Sequence, residues 1–284
     1  MDSLLLNIKN LTIDSKNPAK TLVENLSLKL REHRNLALVG ESGSGKTTIT
    51  KAILGFLPEN CFVKSGSISF EDIDINRLSP KELYKIRGKK IATILQNAMG
   101  SLTPSMRIGT QIIETLRQHH KINKNEAYQK AMKLLTDVRI PNPLHSFSQY
   151  PFELSGGMRQ RVVIAIALAS NPKLILADEP TTALDSMSQA QVLRILHNIQ
   201  KQRKSTILLV THNLSLVKEL CDDVCIIKNG KLIETGPVEK IFSNPKDPYT
   251  LQLLNAVTKI PVKESSSPIL KNKFQPLVTF KGDL

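Results

Sequence analysis

The sequence predicts an α/β fold: a parallel sheet, an antiparallel sheet formed by the N-terminal residues, and a helical subdomain inserted between strands. Three observations predict it. Short apolar runs recur along the chain, each bounded by polar or turn residues, as buried parallel strands require. Residues 4–30 instead alternate apolar and polar, the pattern of strands with one solvated face. Between Ile108 and Val138 the apolar period becomes helical.

Taken in order, Leu4, Leu6 and Ile8, then Leu11 and Ile13, then Leu22, Leu26, Leu28 and Leu30 suggest two strands around a polar loop, Asp14 to Lys20. Leu36-Ala37-Leu38-Val39 reads as a buried strand. It runs into Gly40-Glu41-Ser42-Gly43-Ser44-Gly45-Lys46-Thr47, which fits the phosphate-binding pattern G-x-x-x-x-G-K-[ST]. Thr47 to Leu57 reads as the helix this motif needs, ending near Gly55 and Pro58. Glycines let the backbone wrap a phosphate closely, and successive N–H groups point at its oxygens. The helix start adds the positive end of its dipole. Residues Gly40 to Thr48 are therefore the expected nucleotide-binding set. Lys46 is expected to reach the β- and γ-phosphates, and the Thr47 hydroxyl to ligate Mg²⁺.

Gly66-Ser67-Ile68-Ser69-Phe70 reads as a third short strand of the antiparallel sheet. Ser79-Pro80-Lys81-Glu82 is a helix start, with Ser as cap, Pro at the first helical position and Glu two residues later. Ile91 to Leu95 is another buried strand, ending at Gln96. Ile112, Ile113 and Leu116 form one helical stripe, and Ala127, Ala131, Leu134, Leu135 and Val138 a second, before Pro141, Pro143 and Pro151 break the pattern. Leu154-Ser155-Gly156-Gly157-Met158-Arg159-Gln160 leads into the apolar helix Val162–Ala169. Ser155 is its expected N-cap, with backbone N–H groups open to an anion.

Leu174 to Glu179 is an apolar strand ending in two carboxylates. After a phosphate loop, this pattern delivers an aspartate to a Mg²⁺–phosphate site. Asp178 is expected to hold the ion, directly or through water. Glu179 is expected to orient and polarise the attacking water as a general base. Val192, Leu193, Leu196 and Ile199 mark a further helix, and Thr206 to Val210 a strand delivering Thr211 and His212. His212 is read as functional because of what an imidazole does near a γ-phosphate. Val224–Ile227 and Lys231–Glu234 form a hairpin around Asn229-Gly230. From Lys263 onward the chain is rich in Ser, Lys and Pro, and reads as an extended or mobile appendage.

Composition narrows the function classes. The 284 residues are 40% hydrophobic, enough for a real core. The longest unbroken apolar run, Val162 to Ala169, falls far short of the ~20 residues of a membrane span. The start, Met1-Asp2-Ser3-Leu4, has no basic segment of the kind that opens a signal peptide. The expectation is a cytosolic chain that reaches a membrane by docking onto other subunits. Cys61, Cys221 and Cys225 are too few for a disulfide framework. Cys221 and Cys225 are spaced to face one another on a helix, but buried reduced thiols are the expected state. The net charge of +14 is spread along the chain, and its densest run, Lys81 to Lys90, lacks interleaved aromatics. It reads as solvated surface with a modest attraction to an anionic membrane face.

Gly40–Thr47, Gln96 at a strand end, Leu154-Ser155-Gly156-Gly157-Met158, Leu174–Glu179, Ala183-Leu184-Asp185 and His212 stand in the order seen in ATP-binding cassette (ABC) transporter ATPases, and residues 4–255 resemble that family. The resemblance implies a P-loop NTPase core with an N-terminal antiparallel β-subdomain and an α-helical subdomain inserted at about 98–158. It implies an ATPase domain over residues 1–250 and a C-terminal extension over 251–284. It implies ATP and Mg²⁺ as ligands, and hydrolysis with Glu179, His212 and Gln96 as the catalytic set. Thr47, Gln96 and Asp178 would serve the metal. Two such cassettes face head to tail, so Leu154, Ser155, Gly156, Gly157 and Met158 would close over a nucleotide held by the partner. Ala183, Leu184 and Asp185 would meet the opposing subunit.

The implied partners are a second ATPase subunit (a paralogous chain or a second copy), two transmembrane permease subunits and, through them, an extracytoplasmic solute-binding protein. No nucleic acid is expected. The implied location is the cytoplasmic face of the cell membrane. Within the family, Ser101-Leu102-Thr103-Pro104, Tyr150-Pro151-Phe152-Glu153-Leu154 and Asn244-Pro245-Lys246-Asp247-Pro248-Tyr249-Thr250 resemble the peptide and nickel importer group. Lys90 to Asn97 leans to the nickel subunit, and Ile140-Pro141-Asn142-Pro143 to the dipeptide one. One departure concerns adenine: no Phe, Tyr or Trp precedes Phe56, so Ile13 or Leu22 would carry the base. The competing functions are an exporter ATPase and a non-transport cassette acting on nucleic acid. Those non-transport proteins usually carry a second cassette or a long coiled-coil insertion, and neither is read here.

Overall fold

The computed structural model describes residues 3–203 and 205–258. β1 (Leu4–Lys16) and β2 (Ala19–Arg31) form a long antiparallel pair. Their connection is only Asn17-Pro18. The polar loop expected from Asp14 to Lys20 is therefore mostly strand, with Asp14, Ser15 and Lys16 opposite Thr21, Lys20 and Ala19. Its polar residues are cross-strand partners: the Thr21 hydroxyl donates to Asp14 at 2.8 Å, and Lys64 lies 2.9 Å from the same carboxylate.

β3 (Leu36–Val39) is buried on both faces and leads through the glycine loop into α1 (Lys46–Ile53). This helix stops short of the expected Leu57. Gly55 takes φ +60°, and the N–H groups of Gly55 and Phe56 turn back to the carbonyls of Ala52 and Lys51. That pair of bonds closes a helix end around a left-handed glycine. β4 (Cys61–Phe70) is longer than the expected Gly66–Phe70 strand. It runs on toward its N-terminus because Val63, Phe62 and Cys61 still find partners on β1. β5 (Ile73–Asp74) ends this sheet. α2 (Pro80–Ile86) starts as expected, the Glu82 carboxylate accepting both the N–H and the hydroxyl of Ser79.

After β6 (Ile91–Ile94) come five helices: α3 (Ala98–Ser101), α4 (Ile108–His119), α5 (Lys124–Asp137), α6 (Pro143–Ser148) and α7 (Gly156–Leu168). The chain then alternates through β7 (Leu174–Asp178), α8 (Ser186–Arg203), β8 (Thr206–Thr211) and α9 (Leu214–Leu220). It closes with β9 (Asp223–Lys228), β10 (Lys231–Pro237), α10 (Val238–Ser243) and α11 (Pro248–Thr258). The expected boundary between residues 250 and 251 falls inside α11. The appendage expected from Lys263 lies outside the described residues.

Two sheets result, ordered β2-β1-β4-β5 and β10-β9-β3-β8-β7-β6. The second is parallel except for β10, which pairs antiparallel with β9. Strand alternation gives each residue its layer. Leu36, Leu38, Leu174, Leu176, Leu208 and Val210 face the antiparallel sheet and α1. Ile175, Ala177, Ile207 and Leu209 face α7, α8 and the helical insertion. Ala37, Val39, Val224 and Ile226 face α9 to α11. Each fully buried aliphatic side chain contributes about 1.5–3 kcal/mol, which fixes the strand ends that follow.

The cysteines do not share a helix face, because Cys221 caps the end of α9 and Cys225 lies in β9. Both are free thiols. Burial pushes the Cys225 thiol up to about 11, and burial also pushes Cys221 up. Reduced, unreactive thiols follow.

Candidate nucleotide-hydrolysis site

Ligands of parallel α/β sheets gather outside the carboxyl ends of the strands. Here four neighbouring strands end together. β3 delivers the glycine loop, β6 delivers Gln96, β7 delivers Asp178 and Glu179, and β8 delivers His212. A cleft of about 940 Å³ lies over them, lined by Ser42, Gly43, Gly45, Lys46, Thr47, Thr48, Gln96, Asp178, Glu179 and His212. Lys20, Thr21, Leu22, Thr182 and Asn229 complete its wall.

The loop is held by contacts that only glycine tolerates. A side chain at Gly40 would strike the carbonyl of Ile227 on β9. Gly45 takes φ +100° at the start of α1, where a Cβ would meet the Leu22 carbonyl. Lys46 folds back over the loop, its Nζ donating to the carbonyls of Gly40 at 2.8 Å and Glu41 at 2.7 Å, with the Ser44 hydroxyl 3.3 Å away. Burial lowers the Lys46 pKa, while the nearby Glu179, Asp178 and Glu41 charges oppose that shift.

The carboxylates have different surroundings. The Thr47 hydroxyl stands 3.4 Å from Asp178, whose pKa burial raises. Glu179 takes φ +46°, a left-handed conformation that costs a non-glycine residue about 1–2 kcal/mol. Its N–H is tied to the Val210 carbonyl at 2.8 Å, and this turn aims the side chain across the sheet end. There it meets His212 Nδ1 at 2.7 Å, and it accepts the Thr182 hydroxyl at 2.7 Å. Burial alone would raise the Glu179 pKa, but the hydrogen bonds from Thr182 and His212, with the charges of His212 and Lys46, outweigh it, so the carboxyl sits below its usual range.

Among the described residues no group of three or more His, Cys, Asp or Glu is placed to hold a metal. A Thr hydroxyl beside one carboxylate, in reach of a phosphate cradle, is what Mg²⁺ takes, with phosphate and water oxygens filling the remaining positions. A cation there would also oppose the upward shift of Asp178, favouring its carboxylate. The residues present fit a nucleoside triphosphate with Mg²⁺. For the base, Ile13 is fully buried and offers no face. Leu22 lines the cleft and remains.

Leu154 to Met158 and Ala183 to Asp185 do not line this cleft. They meet each other instead. A side chain at Gly157 would strike Ser188, and one at Gly156 would reach Leu184. Ser155 caps α7, its hydroxyl accepting the Met158 N–H at 3.3 Å. Asp185 caps α8, accepting the Ser188 hydroxyl at 2.7 Å and N–H at 2.9 Å. Ser155, Gly156 and Asp185 are exposed.

Two contributors escaped the sequence reading. One is Thr182, whose only signal was its place three residues after Glu179. The other is the Asn229-Gly230 turn, read only as a hairpin. Its Gly230 N–H donates to the Ser44 carbonyl at 3.0 Å and its carbonyl accepts the Glu24 N–H at 2.9 Å, so the turn clamps the glycine loop to β2.

The profile of the ABC transporter family matches residues 23–182. An oligopeptide transport ATP-binding protein, OppD of Bacillus subtilis, is 44% identical over 265 residues, covering 92% of this chain and 73% of that protein. A dipeptide transport ATP-binding protein, DppD of Lactococcus lactis subsp. cremoris, is 40% identical over 259 residues, covering 90% and 74%. Among solved structures, the dimeric post-hydrolysis state of the ATP-binding cassette MJ0796 bound to ADP and Pi superposes with a TM-score of 0.74 at 27% identity, over 82% of this chain and 99% of that one. cbiO1 of Clostridium perfringens, part of the ABC transporter complex cbiONQ, gives 0.75 at 25% identity, over 86% and 92%.

Proposed function

Because the chain belongs to the ABC transporter family, we propose that it is the ATP-hydrolysing subunit of an importer of di- or oligopeptides, working at the cytoplasmic face of a membrane. The observation that carries the chemistry is the joint geometry of one cleft: Lys46 on the glycine loop, Thr47 beside Asp178, and Glu179 between Thr182 and His212. Lys46 neutralises charge on the β- and γ-phosphates as the bond to the leaving group lengthens. Bound Mg²⁺ would supply further charge neutralisation at the phosphates, held by Thr47 and Asp178 with Gln96 beside them. Glu179, ionised at neutral pH, accepts the proton of the attacking water. His212 keeps that carboxylate in place and reaches toward the γ-phosphate.

Among the described residues no helix is long and apolar enough to cross a membrane. Membrane attachment therefore falls to permease subunits. A groove of about 430 Å³ between the helical insertion and the sheet edge suits them. Leu54, Leu95, Val163 and Ile166 line it, together with Phe56, 68% exposed, under the Arg87 guanidinium. A second ATPase, a copy or a paralogue, would bring its own cleft against the exposed Ser155-Gly156 edge. The relatives named above carry peptide transport in their names, which favours peptide over nickel as cargo. Uptake of a labelled dipeptide, a labelled oligopeptide and labelled nickel, in cells carrying the native chain or Lys46→Ala, tests this. Loss of peptide uptake alone is the expected result. Loss of nickel uptake alone would move the cargo to the metal, and no change in either would sink the importer reading.

A further inference from the structure

The stretch Asn244-Pro245-Lys246-Asp247-Pro248-Tyr249-Thr250 follows α10, and the reaction as described does not use it. It is nonetheless folded back onto the molecule. Glu234 on β10 accepts the backbone N–H groups of Lys246 at 3.0 Å and Asp247 at 3.2 Å. Asp247 in turn accepts the Tyr249 N–H at 2.8 Å and so starts α11. Pro248, at the first helical position, loses no bond there. These ties drive Tyr249 inward. It is 5% exposed, packs in the cluster of Val39 and Ile226, and lies under the Lys228 ammonium, 4.3 Å from the ring centroid.

The Tyr249 hydroxyl accepts the backbone N–H of Glu41 at 3.4 Å. That N–H and the Gly40 carbonyl are the two polar ends of one planar peptide unit. The carbonyl end accepts Lys46 Nζ at 2.8 Å. One rigid plane is therefore held from opposite edges, by the loop lysine and by the tail tyrosine. Hydrogen bonds joined in series through such a unit strengthen one another.

We propose that Tyr249 is a positioning residue of the nucleotide site. It pins the Gly40–Glu41 peptide on which Lys46 rests, and Asn244 to Thr250 is the strap that delivers it. This rests on the ATP-hydrolysing reading of the same cleft. Packing alone does not need the hydroxyl, so Tyr249→Phe separates the two roles: it keeps the ring, its burial and the Lys228 contact. In the assembled transporter, Tyr249→Phe is expected to raise the KM for ATP and the Kd of a fluorescent ATP analogue about fivefold, the equivalent of one neutral hydrogen bond. kcat at saturating ATP should stay at its native value, and Tm should fall by less than in Tyr249→Ala. In a Lys46→Ala background the same change should leave the Kd where it is, because the peptide then positions nothing.

Unchanged KM and Kd in Tyr249→Phe would overturn the proposal. So would a fall in Tm equal to that of Tyr249→Ala, which would make the tyrosine a packing residue. A Lys46→Ala protein that binds and hydrolyses ATP like the native one would instead sink the underlying reading of the cleft.

Discussion

The cleft at the ends of β3, β7 and β8 and the exposed edge at Ser155, Gly156 and Asp185 are both built from short polar motifs, yet they are organised differently. In the cleft the reacting groups are answered within the chain: Lys46 by loop carbonyls, Glu179 by His212 and Thr182, Asp178 by Thr47. At the edge, Ser155 and Asp185 cap their own helices, and their outer faces meet solvent. The chain organises its own bond-breaking chemistry but leaves the edge for another surface to complete. Damage to the cleft should therefore strike binding or chemistry in the isolated chain. Damage to the edge should strike only what needs two chains.

The largest effect is expected at Glu179. Glu179→Gln should lower phosphate release by about 10²–10⁴-fold, the span of general-base catalysis, with ATP still bound. Lys46→Ala should lose turnover and affinity together. Brisk hydrolysis in Glu179→Gln would take the base role from this residue. Next comes the edge. In Gly156→Val the new side chain stands out from the exposed edge, where a partner surface would close. Turnover of the assembled transporter should fall by roughly tenfold or more, as expected when a well-packed contact surface is distorted by a few kcal/mol. ATP binding to the single chain, followed by titration, should be unaffected. A parallel loss of affinity would erase the distinction between the two regions.

A smaller effect concerns acid. In the proposed role of general base Glu179 acts ionised, and its folded pKa is depressed below the usual 4.5. Its contribution to stability is thus present above the unfolded pKa and is lost as pH falls through the folded one. The acid limb of kcat should lie below the ordinary glutamate range. Removing one of its donors with Thr182→Val should move that limb upward; a limb that does not move would show that Thr182 leaves Glu179 alone. The smallest effect is at Leu22. Leu22→Phe supplies a ring for adenine, and such contacts are worth about 0.5–1.5 kcal/mol, so the Kd for ATP should tighten two- to tenfold. An unchanged Kd would place the base elsewhere.

The same contrast marks what the sequence could say. Gly40 to Thr47, Asp178, Glu179 and His212 were legible because each stands at the end of a short apolar strand, and local spacing carries the information. The helix stripes of the insertion were legible for the same reason. What stayed hidden depends on docking between distant segments. Alternation placed Ile13 in a strand but could not tell that α1 and the main sheet cover its face. Lysine and aspartate around residues 14–20 looked like a loop because their cross-strand partners, Thr21 and Lys64, give no local sign. The Asn229-Gly230 turn announced itself as a hairpin, but its grip on Ser44 and Glu24 is set by where β9 joins the sheet.

That grip carries a consequence for how the protein is made. The phosphate loop is translated early, whereas the turn that clamps it belongs to the last strand pair of the sheet, and β3 cannot acquire its β9 neighbour until that pair arrives. Closing so long a segment is entropically costly and slow. A ribosome-bound chain that ends before Asn229 therefore carries every residue of the phosphate loop without the fold that shapes it. Nucleotide capture becomes a signal that the domain is finished, and stalled chains of increasing length should begin to bind ATP only once Gly230 and β10 have cleared the exit tunnel.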